Sequence, residues 1–179
     1  MEKKKWLKEG KQTKTTPYVK NLASSFKKEG LNYIAEILSW IKGNLRPKEG
    51  INDTDPCLFS RTAEEIVKSG YLIGGCAGEG IVFVTLARAK GIPASYIQAA
   101  YKESLIGEIN LKGHVFSKIL IDEKVFLVDP SKSTIADQED FGDYIPIAEG
   151  LDSLDIGVRN VKDLRNLFQK YKVSGPGGN

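Results

Sequence analysis

Residues 76–90, CAGEGIVFVTLARAK, limit the possible folds more than any other stretch of this chain. Ile81, Val82, Phe83, Val84, Leu86 and Ala87 place apolar surface on most sides of a helix of that length. Such a helix is stable only when other elements surround it. The pattern predicts a buried central helix from about Cys76 to Lys90. Arg88 and Lys90 fall in its last turn, where cations suit the dipole, and Gly91 and Pro93 follow as stop signals.

The rest of the chain supplies the neighbours that helix needs. Between Leu22 and Leu45 the pattern is helical, with Leu31, Ile34, Ile37, Leu38 and Ile41 recurring on one face. Gly30 divides that run into two helices. Pro47, Gly50 and Pro56 mark a loop over about 46–57. A short helix follows in SRTAEEIVKSG, where Ser60 can cap, Glu64 and Glu65 lie in the first turn and Gly70 ends it. After Pro93 the period changes from helix to strand. ASYIQAAY, HVFSKILI and VFLVDP are expected to be strands, the last two joined by a tight polar turn near Asp122–Lys124. NVKDLRNLFQKYK is expected to form a closing helix with Val161, Leu164, Leu167 and Phe168 on one face.

Helices first, then consecutive antiparallel strands, imply an α+β fold. N-terminal helices and a central buried helix pack on a small antiparallel β-sheet. At 179 residues the chain is expected to form one domain. Four stretches are expected: a lysine-rich segment over 1–28, partly ordered or helical; a core over 29–150; a helical extension over 151–174 packed on the core; and a loose tail over 175–179.

Composition excludes several classes. With 41% hydrophobic and 27% charged residues the chain is neither wholly disordered nor membrane-spanning. The start, MEKKKWLKEGKQTKTT, is positively charged but has no apolar run behind it, so a cytoplasmic protein is expected. Residues 1–30 hold nine lysines against three glutamates. They lack arginines and a regular basic stripe, so a solvated face is favoured over a nucleic-acid arm, and no membrane partner is expected. Two cysteines and one histidine, without CxxC or HxxxH spacing, make a protein-built metal site unexpected, and no cofactor is implied. Both thiols are expected to be reduced. Cys57, in a proline-flanked loop, is assigned a structural role. Nothing in the sequence bears on the oligomeric state.

Cys76 is different. Gly74 and Gly75 let the backbone turn sharply before it and leave room for a substrate. As the first residue of the buried helix, its sulfur lies beside unpaired backbone N–H groups and the positive end of the dipole. That setting favours the nucleophilic thiolate, and the same N–H groups can hold an oxyanion forming on an attacked carbonyl. The alternative is a small core hydrophobe, a common fate of free cysteines. A thiol nucleophile wants a base, and with a single histidine in the chain that base must be His114, after Gly113 at a strand's start. A base wants an orienting group, and Asp129 closes the next strand, although an aspartate before proline is also a common turn-former. Hairpin register separates the possibilities. If Asp122 and Glu123 are the central turn residues, Phe116 faces Asp129, and His114 is its same-face diagonal neighbour at roughly 7–8 Å between backbones. If Glu123 and Lys124 form the turn, Asp129 faces Lys118 and the gap to His114 grows to about 13 Å. A working triad requires the first register.

GGCAGEGIVFVTLARAKGIPASYIQ, then GHVFSKILID, then VFLVDPS resembles the transglutaminase-like superfamily of papain-like folds. The likeness covers roughly residues 31–135, and ILSWIKGNL resembles the family's preceding helix. It implies Cys76 as nucleophile, His114 as base and then acid, and Asp129 as its orienting group. Gly75, Cys76 and Gly113 line the substrate and oxyanion position. The implied activity is thiol-dependent acyl transfer on an amide of a protein or peptide substrate, by transamidation or hydrolysis through a thioester. A non-enzymatic binding or scaffold module on the same fold is the alternative. Val115 and Phe116 replace the family's usual alanine and tryptophan. Trp40 is assigned to the core rather than to oxyanion stabilisation. NDTDP lacks the glycine and distal glutamate of a calcium loop.

Overall fold

Most breaks in the sequence pattern become element boundaries. The structure, a computed structural model, describes residues 2–50, 55–106 and 112–175. A single turn, α1 (Lys3–Trp6), is followed by α2 (Pro17–Ser25), which begins on a proline and is capped by the Thr16 side chain. α3 (Gly30–Asn44) is separated from α2 at Gly30, as the sequence implies, but α2 starts before Leu22. On α3 the buried face is Tyr33, Ile34, Ile37, Leu38 and Ile41. Leu31 was expected on that face; one residue into the helix, it points to solvent instead, and Tyr33 takes the buried place.

The stretch expected to be a loop begins with a two-residue strand, β1 (Arg46–Pro47), paired in parallel with β2 (Tyr71–Leu72). Between them, α4 (Ala63–Ser69) is capped by Thr62 and not by Ser60. Thr62 and Glu65 form a reciprocal capping box, whereas the Ser60 hydroxyl donates to the Pro56 carbonyl at 2.9 Å. Gly70 ends α4 in the left-handed region at φ +70°.

α5 (Cys76–Ala89) is the central helix. It is buried from Ala77 to Arg88 except at Glu79. The sheet that covers one side of it is five-stranded and antiparallel, in the order β6–β5–β4–β3–β7. Its strands are β3 (Ala94–Tyr101), β4 (Gly113–Ile121), β5 (Lys124–Asp129), β6 (Thr134–Ala136) and β7 (Tyr144–Gly150). β6 and β7 were not anticipated; the first is three residues long and the second carries Pro146. α2, α3 and α4 pack on the other sides of α5.

Strand alternation divides the sheet into two faces. Tyr96, Val115, Ile119 and Val128 face α5 in the main core. Ile97, Ala99, Phe116 and Leu127 form a second apolar layer with Phe141 and Tyr144. α5 comes so close to β4 that a Cβ on Gly80 would lie 2.5 Å from Val115 Cγ1. Glycine at 80 is therefore a packing requirement.

The N-terminal segment is tied into this core. The guanidinium of Arg88 is buried and donates to the carbonyls of Trp6, Ala94 and Leu151 and to the Thr13 hydroxyl, so it does more than complement the helix dipole. Gln12 is buried too. Its Nε2 donates to the carbonyls of Phe59 and Arg61, and its Oε1 accepts from the Ser153 hydroxyl and the Leu154 N–H. α6 (Val161–Ser174) closes the chain, capped by Asn160, with Leu164 and Phe168 buried and Val161 and Leu167 packed beside them. Among the described residues, no helix is long and apolar enough to cross a membrane.

Candidate active site

Cys76 is the first residue of α5 and is half-buried. Two glycines at positive φ bring the chain there, Gly74 at φ +82° and Gly75 at φ +50° with ψ −112°. A side chain on Gly74 would also strike the Leu58 carbonyl oxygen, at 2.9 Å from its Cβ. In this first turn the Ala77 N–H is taken by the Gly74 carbonyl and that of Glu79 by the Gly75 carbonyl, each at 3.1 Å. The N–H of Cys76 has no acceptor among the described residues, so it is free to meet an oxyanion beside the sulfur.

His114 is the second residue of β4 and is 9% exposed. The β4–β5 hairpin turns on Asp122 and Glu123, both at positive φ (49° and 60°), and pairs Ile121 with Lys124 and Ser117 with Val128. This is the first of the two registers. It places His114 Nε2 at 2.9 Å from Asp129 Oδ2. The other carboxylate oxygen, Oδ1, accepts from the backbone N–H groups of Ser131 and Lys132 at 3.1 Å each. The aspartate is thus fixed by its own turn before it meets the ring. Phe116 and Tyr144 hold the imidazole in place, with ring centroids 4.9 and 5.1 Å away.

Cys76 lies close enough to the same ring to favour its charged form. Because Nε2 is engaged by Asp129, Nδ1 is the nitrogen left for the sulfur. Burial works against a charged imidazole, but the bond to Asp129 and the nearness of Cys76 outweigh it and push His114 up to about 9. Burial works against the Asp129 carboxylate as well; the bond and charge of His114 outweigh it and hold the group below the usual carboxylate range. At neutral pH the pair is an imidazolium beside a carboxylate.

The three candidate residues therefore converge. Gly113 lies in the wall of the cleft onto which Cys76 opens, a cavity of about 160 Å³ shared with Leu58, Val115 and Leu164. A second cavity, about 270 Å³, lies on the other sheet face and is lined by Asp129, Phe116, Phe141 and Tyr144. Cys57 lies exposed. Trp40 packs edge-on against Phe26 at 6.3 Å, within the apolar cluster. Residues 51–54, most of NDTDP, lie outside the described residues. Sequence reasoning missed the Ser131 and Lys132 N–H groups, although an aspartate opening an Asp-Pro turn signals such bonds. It also missed Gln98, a buried polar residue in the same cleft wall.

No family model matches the chain, and no curated protein matches it. Solved structures do. A candidate cysteine protease from Cytophaga hutchinsonii superposes with a TM-score of 0.64 at 18% identity, over 86% of this chain and 48% of that one. The fold is cysteine-protease-like. The chain spans about half the length of the Cytophaga protein. LapG of Legionella pneumophila is similar over nearly its whole length, with a TM-score of 0.54 at 16% identity over 95% of this chain and 97% of that one. Its calcium-bound form gives 0.52 at 17% identity. Among the described residues of the present chain, no group of three or more His, Cys, Asp or Glu side chains is arranged to hold a metal ion.

Proposed function

We propose that this chain is a thiol-dependent amide-cleaving enzyme acting on protein or peptide substrates, with Cys76 as nucleophile, His114 as acid and base, and Asp129 as the orienting carboxylate. One observation carries the reading. The sole imidazole is bonded on one side to a turn-fixed carboxylate and partnered on the other by a thiol at the head of a buried helix. The fold shared with the cysteine-protease-like structures supports it, as does the sequence resemblance to the transglutaminase-like superfamily.

In this mechanism the proton rests on His114, and the sulfur attacks as thiolate. A sulfur–carbon bond forms at the amide carbonyl, and the oxyanion is held by the Cys76 N–H. His114 gives its proton to the nitrogen as the carbon–nitrogen bond breaks. The amine leaves and a thioester remains. Water then attacks, the neutral His114 takes its proton, and the sulfur–carbon bond breaks to return the imidazolium and thiolate. An amine in place of water gives transamidation by the same steps.

Alkylation rates of the two cysteines, followed by mass spectrometry from pH 5 to 9, test the reading. Cys76 reacts faster than exposed Cys57 below pH 7 in the wild type, and His114→Ala removes the advantage. Equal and slow labelling at both thiols would overturn the enzyme in favour of a binding module on the same fold.

A further inference from the structure

Gln98 stands on β3 opposite Val115 of β4, on the α5 side of the sheet, and is 2% exposed. It lines the same cleft as Cys76 and Gly113. Its Nε2 donates to the carbonyls of Ala99 at 3.2 Å and His114 at 3.1 Å. Its Oε1 is buried and has no hydrogen-bond partner among the described residues. Rotating the amide would set Oε1 against those two carbonyl oxygens, so the neighbours fix Oε1 as the unpaired atom. A buried acceptor without a donor is rare in a native interior, and it points to a partner that arrives with a ligand.

The surroundings define that partner. Leu58, Phe59, Val115, Val161 and Leu164 bring apolar side chains to the cleft, beside the thiol of Cys76 and the glycine backbone at 74 and 113. A carboxylate or a developing oxyanion would be repelled, so Gln98 Oε1 does not stabilise the oxyanion. An N–H on a small, mostly apolar group satisfies it. A Cβ on Gly113 would come within 3.0 Å of Gln98 Nε2, so glycine there leaves room for the tied arm of the amide.

We propose that Gln98 Oε1 is a specificity-determining acceptor for the backbone N–H of the substrate residue whose carbonyl Cys76 attacks. The inference rests on the reading of Cys76 as nucleophile. It predicts selection for peptide acyl groups that carry an N–H one carbon from the attacked carbonyl, and against those N-alkylated there.

Two small electrophiles reproduce that spacing without a known substrate. In N-methylchloroacetamide the attacked carbon is one carbon from an N–H, and in N,N-dimethylchloroacetamide a methyl replaces that hydrogen. Each alkylates a thiolate by displacing chloride. Cys57 in the same molecule corrects for intrinsic reactivity. After that correction, Cys76 prefers the N-methyl probe roughly fivefold to tenfold in the wild type, the worth of one hydrogen bond. The preference falls to near one in Gln98→Met and Gln98→Leu. A wild-type preference near one overturns the proposal, whether or not the variants fold. So does a preference that survives both substitutions while both probes slow equally, since Gln98 would then only brace β4. If Cys76 outpaces Cys57 with both probes but ignores the N–H, only the acceptor role falls. If Cys76 is no faster with either probe, the nucleophile reading falls and takes this proposal with it.

Discussion

His114 and Asp129 meet diagonally across the β4–β5 hairpin, Nε2 to Oδ2 at 2.9 Å, because the hairpin turns on two residues only, Asp122 and Glu123. Strand rise and register bring the two side chains onto one face. The Ser131 and Lys132 N–H groups then pin the carboxylate, and Phe116 and Tyr144 hold the ring. The charge on each favours the charge on the other.

The single histidine makes its titration directly readable. Imidazole signals followed by NMR in the intact protein will report an apparent pKa of about 9. Asp129→Asn removes the first of the groups that raise it and will drop the value toward the ordinary 6.5 or so. Cys76→Ala will drop it too, which no aspartate–histidine pair remote from the thiol would do. A wild-type value near 6.5 would contradict the geometry.

Stability will follow the same proton. The folded protein holds it more tightly than the unfolded chain, so the stabilisation is complete below about pH 6.5 and is lost as pH rises through about 9. The difference amounts to about 3 kcal/mol at most. Guanidinium unfolding at pH 6, 7.5 and 9 will show the decline, and Asp129→Asn will flatten most of it.

The two glycines before the thiol are not equivalent. Gly74→Ala sets a Cβ at 2.9 Å from the Leu58 carbonyl oxygen and strains a φ of +82°. It will cost about 2–3 kcal/mol and slow alkylation of Cys76. Gly75→Ala meets no atom within 4 Å, but φ +50° with ψ −112° is a backbone that glycine alone adopts readily, so strain costs about 1–3 kcal/mol there. Thermal melts of the two variants check both losses.

Asp122 and Glu123 carry a backbone suited to Asn-Gly, since both lie at positive φ as a type I′ turn requires. Replacing them by Asn and Gly will raise stability by about 0.5–1 kcal/mol and leave the reactivity of Cys76 unchanged. Inserting one residue between them will abolish the Cys76 advantage over Cys57 even if the protein still folds.

The α+β architecture was readable because its strongest constraint, an all-round apolar helix, lies in one unbroken segment. The candidate nucleophile, base and orienting group were readable because the chain has a single histidine and few thiols, and because hairpin register converts sequence distance into geometry. Other features were not. Thr62 and Ser60 are both good caps in isolation, and the capping box depended on which one Glu65 could reach. β7 contains Pro146 and joins β3 with a register shift between Gln98 and Ala99, so no clean alternation marks it. Gln98 sat in a strand pattern as one polar letter among apolar ones, and only the closed sheet showed that its amide has one arm tied and the other bare.

Seven residues of β4 separate His114 from the Asp122–Glu123 turn, roughly 24 Å at ordinary strand rise. Two solvent-facing acidic residues therefore hold the alignment of a proposed reaction centre they never approach. A mutational survey ranked by nearness to the sulfur would pass them over, although the spacing they impose decides whether an imidazole and a carboxylate meet at all.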